Sequence, residues 1–335
     1  METLEVLESI TRLSDRVVRV LGQNPGKFTL QGTNTYLIGE CNPYTLIDTG
    51  EGKDAYIPQL ESALSNACKL TNLNKPHVSD IIISHWHGDH TGGLSSVLSL
   101  LRRMWDERGT PSPFKPPRIH KFPLVNAPPS GADATIAPPP PGTYTTTTTT
   151  TTTNGSFLHD LADGQLFQIT GSPSPMRVIH APGHTADSIS LHIPDDHALY
   201  TADTVLGQGT AVFEDLGMYI SSLRKLLAFQ SGYTVLYPGH GPVVAEGPKL
   251  IGTYITHRME REAQIVSIME KPSPDGQPWS TWGIVSTIYS AYPQNLWEPA
   301  ARSVDQHLGK LQAEGKVKRL EGEGKDVKWE LLAKL

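Results

Sequence analysis

The chain has 335 residues and a mass of 36.6 kDa, which fits one large domain or a core with an appendage. Its 34 acidic and 28 basic residues give a formal net charge of −6, so nucleic acid is a disfavoured partner. With 38% hydrophobic residues beside 30 glycines and 27 prolines, we expect a packed core together with some disordered sequence.

The cysteine content and the N-terminus bear on the compartment. Two cysteines, Cys41 and Cys68, cannot form a disulfide framework and lack the spacing of a thiol metal site. Residues 1–16 contain four acidic side chains and no apolar run that resembles a signal peptide. No run of about 18 apolar residues predicts a membrane span. We therefore expect a cytoplasmic protein.

The first third of the chain alternates short strands with helical patterns, which is typical of a layered α/β domain. Apolar and β-branched runs predict strands at 17–21, 34–39, 44–48 and 78–84, and helical spacing of apolar residues predicts helices at 53–70 and 92–108. Residues 126–156 then form a low-complexity insertion with four consecutive prolines at 138–141 and an unbroken threonine tract at 145–153. Since this insertion offers no apolar face to bury, we expect no packed structure there.

The pattern resumes after the insertion and ends in a different kind of unit. The predicted elements are strands at 166–170, 177–180, 189–193, 199–201 and 235–237, and helices at 217–230, 248–271, 283–291 and 296–315. Residues 272–278 are a predicted linker, and 316–332 a predicted hairpin. We expect a core at 1–247, and a long helix with a winged-helix-like module at 248–335. The module's charge is too nearly balanced to indicate DNA binding, so we expect it to pack against the core.

The densest group of possible ligands follows the apolar strand 78–84. His85, His87, Asp89 and His90 lie within six residues, in a loop that contains glycines. Packed imidazoles repel one another when protonated, whereas neutral imidazole nitrogens bind zinc and similar ions. Because one loop rarely completes two metal shells, further ligands are needed, and the candidates just past later strands are His184, Asp203 and His240.

The order HxHxDH, PGHT, a strand-terminal Asp and PGHG resembles the metallo-β-lactamase superfamily over about residues 15–245. The resemblance implies an αββα sandwich and two metal ions. It implies that the first ion is held by His85, His87 and His184, the second by Asp89, His90 and His240, and that Asp203 bridges them. Asp48 resembles the carboxylate that supports such a site from behind the ligands, although Asp-Thr-Gly is also common in turns.

A dinuclear site of this kind is suited to hydrolysis. Two divalent ions about 3.5 to 4 Å apart lower the pKa of a shared water toward about 7 and polarise a carbonyl. We expect zinc, with manganese as the alternative, and we expect Asp89 to assist proton transfer. Among the other histidines, His180 precedes the His184 loop, but its strand position favours a structural role.

The segment 207–216, the helix around 257–262 and the terminal module resemble the lactamase-beta-2-like branch. With residues 26–36, the whole chain resembles fungal members of that branch, which release aromatic polyketides such as atrochrysone carboxylate from the acyl carrier protein of a polyketide synthase. The resemblance implies a thioesterase with this substrate and partner, and some relatives are linked to Claisen-type ring closure.

Three alternatives remain at the sequence level. Animal members of the branch suggest a single-strand endoribonuclease, which the acidic balance disfavours. A DNA-binding regulator with an inactive core is disfavoured by the complete ligand set. A glyoxalase II-like enzyme would need basic groups for a glutathione carboxylate. Arg258 and Arg261 could supply them, but we interpret both as charges on the helix surface, beside Glu260 and Glu262.

Overall fold

The computed structural model describes residues 4–124, 136–146, 156–229 and 232–332, and its core contains two β-sheets. The seven strands of the first sheet are neighbours in chain order, antiparallel from β1 to β4 and parallel from β4 to β7. They are β1 (Ile10–Arg12), β2 (Val17–Leu21), β3 (Asn34–Ile38), β4 (Tyr44–Ile47), β5 (Val78–Ile83), β6 (Arg118–Lys121) and β7 (Leu158–Asp160).

The second sheet has five strands in the spatial order β12-β11-β10-β9-β8. They are β8 (Leu166–Phe167), β9 (Met176–His180), β10 (Ile189–Ile193), β11 (Ala198–Ala202) and β12 (Val235–Pro238). The β11–β12 pair is parallel and the other pairs are antiparallel. Consequently β9, β11 and β12 run in one direction.

Helices cover the outer faces of both sheets. The α-helices are α1 (Tyr56–Ser62), α2 (Gly88–Thr91), α3 (Leu94–Arg108), α4 (Leu216–Ala228), α5 (Gly247–Met269), α6 (Thr281–Ile288) and α7 (Trp297–Ala313). The first sheet packs its outer face on α1 and α3, and the second packs on α4 and α5. Buried side chains of the two inner faces, including Tyr36 and Met176, form the core between the sheets. The predicted αββα sandwich is confirmed.

The C-terminal module has its own hydrophobic core and contacts α5. Helices α6 and α7 pack on a small antiparallel sheet of β13 (Trp279–Ser280), β14 (Val317–Arg319) and β15 (Lys328–Leu331). Buried Glu262 of α5 pairs with Lys310 of α7 at 2.8 Å, which fixes the module on the long helix. None of the helices that the structure describes has the length and apolar content to cross a membrane.

Several strands and one helix differ from the sequence predictions. Strands β1, β6 and β7 were not predicted because each has only three or four residues and little apolar alternation. Strand β8 ends at Phe167, three residues before the predicted end. The predicted helix 53–70 is shorter, and its last turns, Ala63–Ala67, form a π-helix.

Part of the insertion packs against the core, so the expectation of no packed structure does not hold at Ile136 and Tyr144, although most of residues 136–146 are exposed. Ile136 is 6% exposed and belongs to the core of the first sheet, and Tyr144 packs against the same core. The sequence argument missed these two isolated apolar side chains within a Pro- and Thr-rich background. Residues 126–135 and 147–155, including most of the threonine tract, lie outside the described residues.

Truncating Ile136 should test whether this segment contributes to stability. Ile136→Ala removes buried methyl and methylene groups and should lower the free energy of unfolding by about 2 to 4 kcal/mol. Leu73→Ala is the control, because Leu73 is 57% exposed and its truncation leaves no cavity. Chemical denaturation measures both variants. An Ile136→Ala loss as small as that of the control would show that the segment adds little to the fold.

Candidate metal centre

The predicted ligands lie at one edge of the sandwich, where strands of both sheets end. In the first sheet β4 and β5 are parallel, and their carboxyl ends lead side by side to Asp48 and to the loop 84–93. In the second sheet the co-directional strands β9, β11 and β12 are followed by His184, Asp203 and His240. The fold therefore brings together all seven side chains that the sequence proposed as ligands.

Three imidazoles form the first group. Nε2 of His85 lies 3.0 Å from Nδ1 of His87, and Nε2 of His184 lies 3.2 and 3.0 Å from those two nitrogens. Three ring nitrogens that converge in this way cannot all be satisfied by hydrogen bonds to one another, because each neutral imidazole has only one N–H. The arrangement fits a cation at their centre.

Two imidazoles and two carboxylates form the second group. Nε2 of His240 lies 3.1 Å from Oδ2 of Asp89 and 3.2 Å from Oδ2 of Asp203. Nε2 of His90 lies 3.4 Å from Nε2 of His240 and 3.4 Å from Oδ1 of Asp203. Mixed nitrogen and carboxylate donors of this kind also fit a divalent metal ion.

Asp203 lies between the two groups. Its Oδ2 is 3.7 Å from Nε2 of His184 in the first group and 3.2 Å from Nε2 of His240 in the second. Its Oδ1 is buried and accepts no hydrogen bond from the described residues. Since an unsatisfied buried carboxylate oxygen is costly, a cation here would compensate for its burial. This position is the one expected for a bridging ligand.

The outer nitrogens of several imidazoles are held by the protein. Nδ1 of His184 donates to the carbonyl oxygen of Val212 at 2.8 Å, and Nδ1 of His85 donates to Oγ of Ser84 at 3.0 Å. Nδ1 of His90 donates to Oδ2 of Asp48 at 2.7 Å. Such contacts fix the ring orientation and leave Nε2 facing the other donors, where it could bind a metal ion.

Asp48 is a buried acceptor behind the ligands. Besides His90, its carboxylate accepts from the backbone N–H and the hydroxyl of Ser84, both at 2.8 Å, and from the hydroxyl of Tyr200 at 2.5 Å. Its φ of 58° places it in the left-handed region, which aspartate tolerates better than most residues. The sequence did not indicate Tyr200, because its contact with Asp48 joins strands from different sheets.

The electrostatics of the two groups differ. Burial and neighbouring imidazoles lower the pKa of His87 to about 4. Burial also disfavours the charged form of His240, but the nearby Asp203 carboxylate outweighs it and raises the pKa of His240 to about 9. Burial would raise the pKa of Asp89, yet His90 and His240 outweigh it and lower that pKa to about 2. A cation in the second group would therefore displace a proton from His240, whereas His87 is already neutral.

A glycine and an asparagine connect the sheets at this edge. The backbone N–H of Asn34 donates to the carbonyl of Gly239 at 2.7 Å, and its side chain donates to the carbonyls of Pro238 and Gly241. A Cβ at Gly239 would lie 2.3 Å from Oδ1 of Asp203. Glycine is therefore required there if Asp203 is to keep its position between the two groups.

The two groups open into a cavity of about 740 Å³. Its rim includes exposed apolar side chains, with Phe28 70% and Val212 59% exposed, and Leu30 beside them. Sequence reasoning did not assign this rim, because the two loops that form it are more than 180 residues apart in the chain. A cavity with polar donors at its base and an apolar rim suits an organic acyl group.

Other histidines lie outside the two groups. His180 stacks on Phe122 with ring centroids 3.8 Å apart, and its Nε2 donates to the carbonyl of Ala186, in line with the structural role expected for it. Trp86 packs edge-to-face on His87, beside the loop. Within the described part of the chain, these two groups are the clusters of three or more His, Cys, Asp or Glu donors that could hold a metal ion.

The fold and this donor set define a class of protein. Residues 28–240 match the family model described as the metallo-beta-lactamase superfamily, and residues 280–329 match the beta-lactamase associated winged helix domain. The chain belongs to the metallo-beta-lactamase superfamily and contains the associated winged-helix domain, as the resemblance implied.

Relatives of known name extend this assignment. The chain is 36% identical to the Beta-lactamase-like protein 2 homolog of Drosophila melanogaster, over 94% of each chain. It is 34% identical to the atrochrysone carboxyl ACP thioesterase nsrC of Aspergillus novofumigatus, over 82% of this chain and 69% of the relative. The crystal structure of a beta-lactamase domain protein from Burkholderia ambifaria has the same fold, with 17% identity, a TM-score of 0.67, and coverage of 98% and 95%.

Proposed function

We propose that the chain is a metal-dependent thioesterase that hydrolytically releases an aromatic polyketide from the acyl carrier protein of a polyketide synthase. The observation that carries this proposal is the 34% identity to a fungal protein named for that release. The two converging donor groups support it, because they suit a water-activating hydrolase and need no serine or cysteine nucleophile.

We assign the ligands of two ions: a first ion held by His85, His87 and His184, a second held by Asp89, His90 and His240, and Asp203 as the bridge between them. We expect both ions to be Zn²⁺, with Mn²⁺ as the alternative. When bound, such ions lower the pKa of a water molecule and polarise the thioester carbonyl.

The protein's own groups then move protons and orient the substrate. Asp89 is ionised at neutral pH, and its Oδ2 faces His240. The other carboxylate oxygen, Oδ1, accepts a proton as the water attacks. The apolar rim formed by Phe28, Leu30 and Val212 packs on the acyl chain and excludes water from it. Hydrolysis adds water across the thioester bond and yields the free acid and the carrier thiol.

The test is release from a carrier domain loaded with a poly-β-ketone chain, followed by mass spectrometry of the free product. The protein should release this product faster than it cleaves single-stranded RNA or a β-lactam. Asp89→Asn should reduce release at least about a hundredfold, because it weakens the second donor group and removes the proton acceptor.

The matched control is Asp106→Asn, an exposed carboxylate in an ion pair with Arg102 on α3, which should release product at the wild-type rate. If the wild type degrades RNA and leaves the loaded carrier intact, and Asp89→Asn is inactive on RNA, the protein is a nuclease and not a thioesterase. Preferential turnover of a glutathione thioester would assign the glyoxalase II-like activity.

A further inference from the structure

A second cavity adjoins the one that contains the metal ligands. It has a volume of about 300 Å³, and we call it the basic pocket; its lining includes His257, Arg258, Glu260, Arg261, Tyr289 and Ser303. Thr210 lines both cavities. The metal cavity and the basic pocket are therefore adjacent at the loop around Thr210.

Residues of α5 support this dividing loop from the side of the basic pocket. The hydroxyl of Tyr254 donates to the carbonyl of Gly209 at 2.9 Å, and Nη2 of Arg258 donates to the carbonyl of Ala211 at 3.1 Å. From the opposite side, His184 donates to the carbonyl of Val212. The loop is thus held from both sides, and the two cavities keep a fixed relation to each other.

The two arginines of the pocket are held in place without a carboxylate partner. The guanidinium carbon of Arg258 lies 4.8 Å from the ring centroid of Phe213, and that of Arg261 lies 4.8 Å from the ring centroid of Tyr289. In the part of the chain that the structure describes, neither arginine forms an ion pair. Both arginines lie at the surface of α5, as the sequence-based interpretation expected, and both are half-buried where they line this pocket.

The carboxylates near the arginines do not neutralise them both. Glu262 is buried on another face of α5, where it pairs with Lys310 at 2.8 Å. Glu260 is exposed and lines the pocket, so one carboxylate faces two guanidinium groups and the imidazole of His257. A guanidinium has five N–H donors in a planar fork, and most of those in this pocket face no protein acceptor. The pocket is therefore built for an anion.

We infer that the basic pocket binds the phosphate of the phosphopantetheine arm that carries the acyl chain. This inference rests on the proposed function, since it places the thioester in the metal cavity. The arm crosses Thr210, and its phosphate accepts hydrogen bonds from Arg258 and Arg261, which suit a phosphate because their forks bind two oxygens at once. Tyr289 and Ser303 belong to the winged-helix module, so the module completes the site for the arm.

The test compares two thioesters of one acyl group, on 4′-phosphopantetheine and on pantetheine, which lacks the phosphate. The wild type should have a kcat/KM about tenfold or more higher for the phosphorylated thioester, and Arg261→Gln should bring this ratio close to one. Because both substrates are measured on one protein sample, any loss of folded protein cancels in the ratio. Arg224→Gln, an exposed arginine of α4 outside the pocket, should keep the wild-type ratio.

Calorimetric titration with 4′-phosphopantetheine and with pantetheine makes the test independent of turnover. The wild type should bind only the phosphorylated compound, and Arg261→Gln should weaken that binding about tenfold. Absence of turnover on either thioester, with this binding intact, would overturn the proposed function and leave the pocket assigned. A wild-type kcat/KM ratio near one, or equal binding of the two compounds, would overturn the assignment of the basic pocket as a phosphate site. If the protein prefers an acyl-glutathione and Arg261→Gln abolishes that preference, the basic pocket binds a carboxylate, and its assignment to a phosphate is wrong.

Discussion

The purified protein, dialysed against excess Zn²⁺ or Mn²⁺, should hold two ions per chain, and His240→Ala should hold one. The seven donors divide into two groups, and His240 contributes only to the second, where its Nε2 lies 3.1 and 3.2 Å from the two carboxylates. Its removal leaves the three converging nitrogens of His85, His87 and His184 intact. Metal content is measured by plasma mass spectrometry, and chelation should abolish activity.

His180→Ala is the matched control for this experiment. His180 ends the strand that leads to the His184 loop, but its ring stacks on Phe122 and belongs to neither donor group. This variant should keep two ions per chain. One ion per chain in the wild type at saturating metal would contradict the dinuclear assignment, and loss of both ions in His240→Ala would show that the two groups do not bind independently.

Asp48→Asn should lower the affinity for the second ion about 10- to 100-fold and reduce the free energy of unfolding by about 3 kcal/mol. The carboxylate of Asp48 accepts from four donors on Ser84, His90 and Tyr200, all of them buried. An amide NH₂ in the same place would face donors, so at least one of them would lose its acceptor. Asparagine also tolerates the left-handed backbone, so the effect comes from losing the carboxylate and not from backbone strain.

Metal titration and chemical denaturation measure the two effects of Asp48→Asn separately. Asp163→Asn is the control, because the half-exposed pair of Asp163 with Lys225 should contribute less than about 1 kcal/mol. Unchanged metal affinity in Asp48→Asn would show that Asp48 only closes a turn, the alternative interpretation of its Asp-Thr-Gly sequence.

The sandwich and the position of the donors could be predicted from sequence for a physical reason. Buried strands have an apolar pattern, and the parallel strands of a layered α/β domain end at a common edge, so polar residues just past those ends meet. His85 and His87 after β5, and Asp203 after β11, follow this rule.

Other features depend on contacts between distant segments, which leave little local pattern. The sequence around Tyr200 is that of an ordinary strand and gives no sign that its hydroxyl contacts Asp48, which is 152 residues away in the chain. Ile136 is one apolar residue in a Pro- and Thr-rich segment, and its burial depends on the sheet below it. The pocket around Arg261 combines side chains of α5 with Tyr289, which the winged-helix module supplies.

The hydrogen bonds on the outer imidazole nitrogens have a consequence for how fast metal is acquired. His85, His90 and His184 have their tautomers and ring orientations set by Ser84, Asp48 and Val212 rather than by a cation. An arriving ion therefore meets ring nitrogens that are already in position, and little side-chain entropy is lost on binding. In the second group the ion must also displace protons, because burial disfavours the charged form but the neighbouring carboxylates outweigh it and raise the pKa of both His90 and His240. Metal loading should accordingly proceed without a slow folding step, and the metal-free protein should retain the native arrangement of these rings.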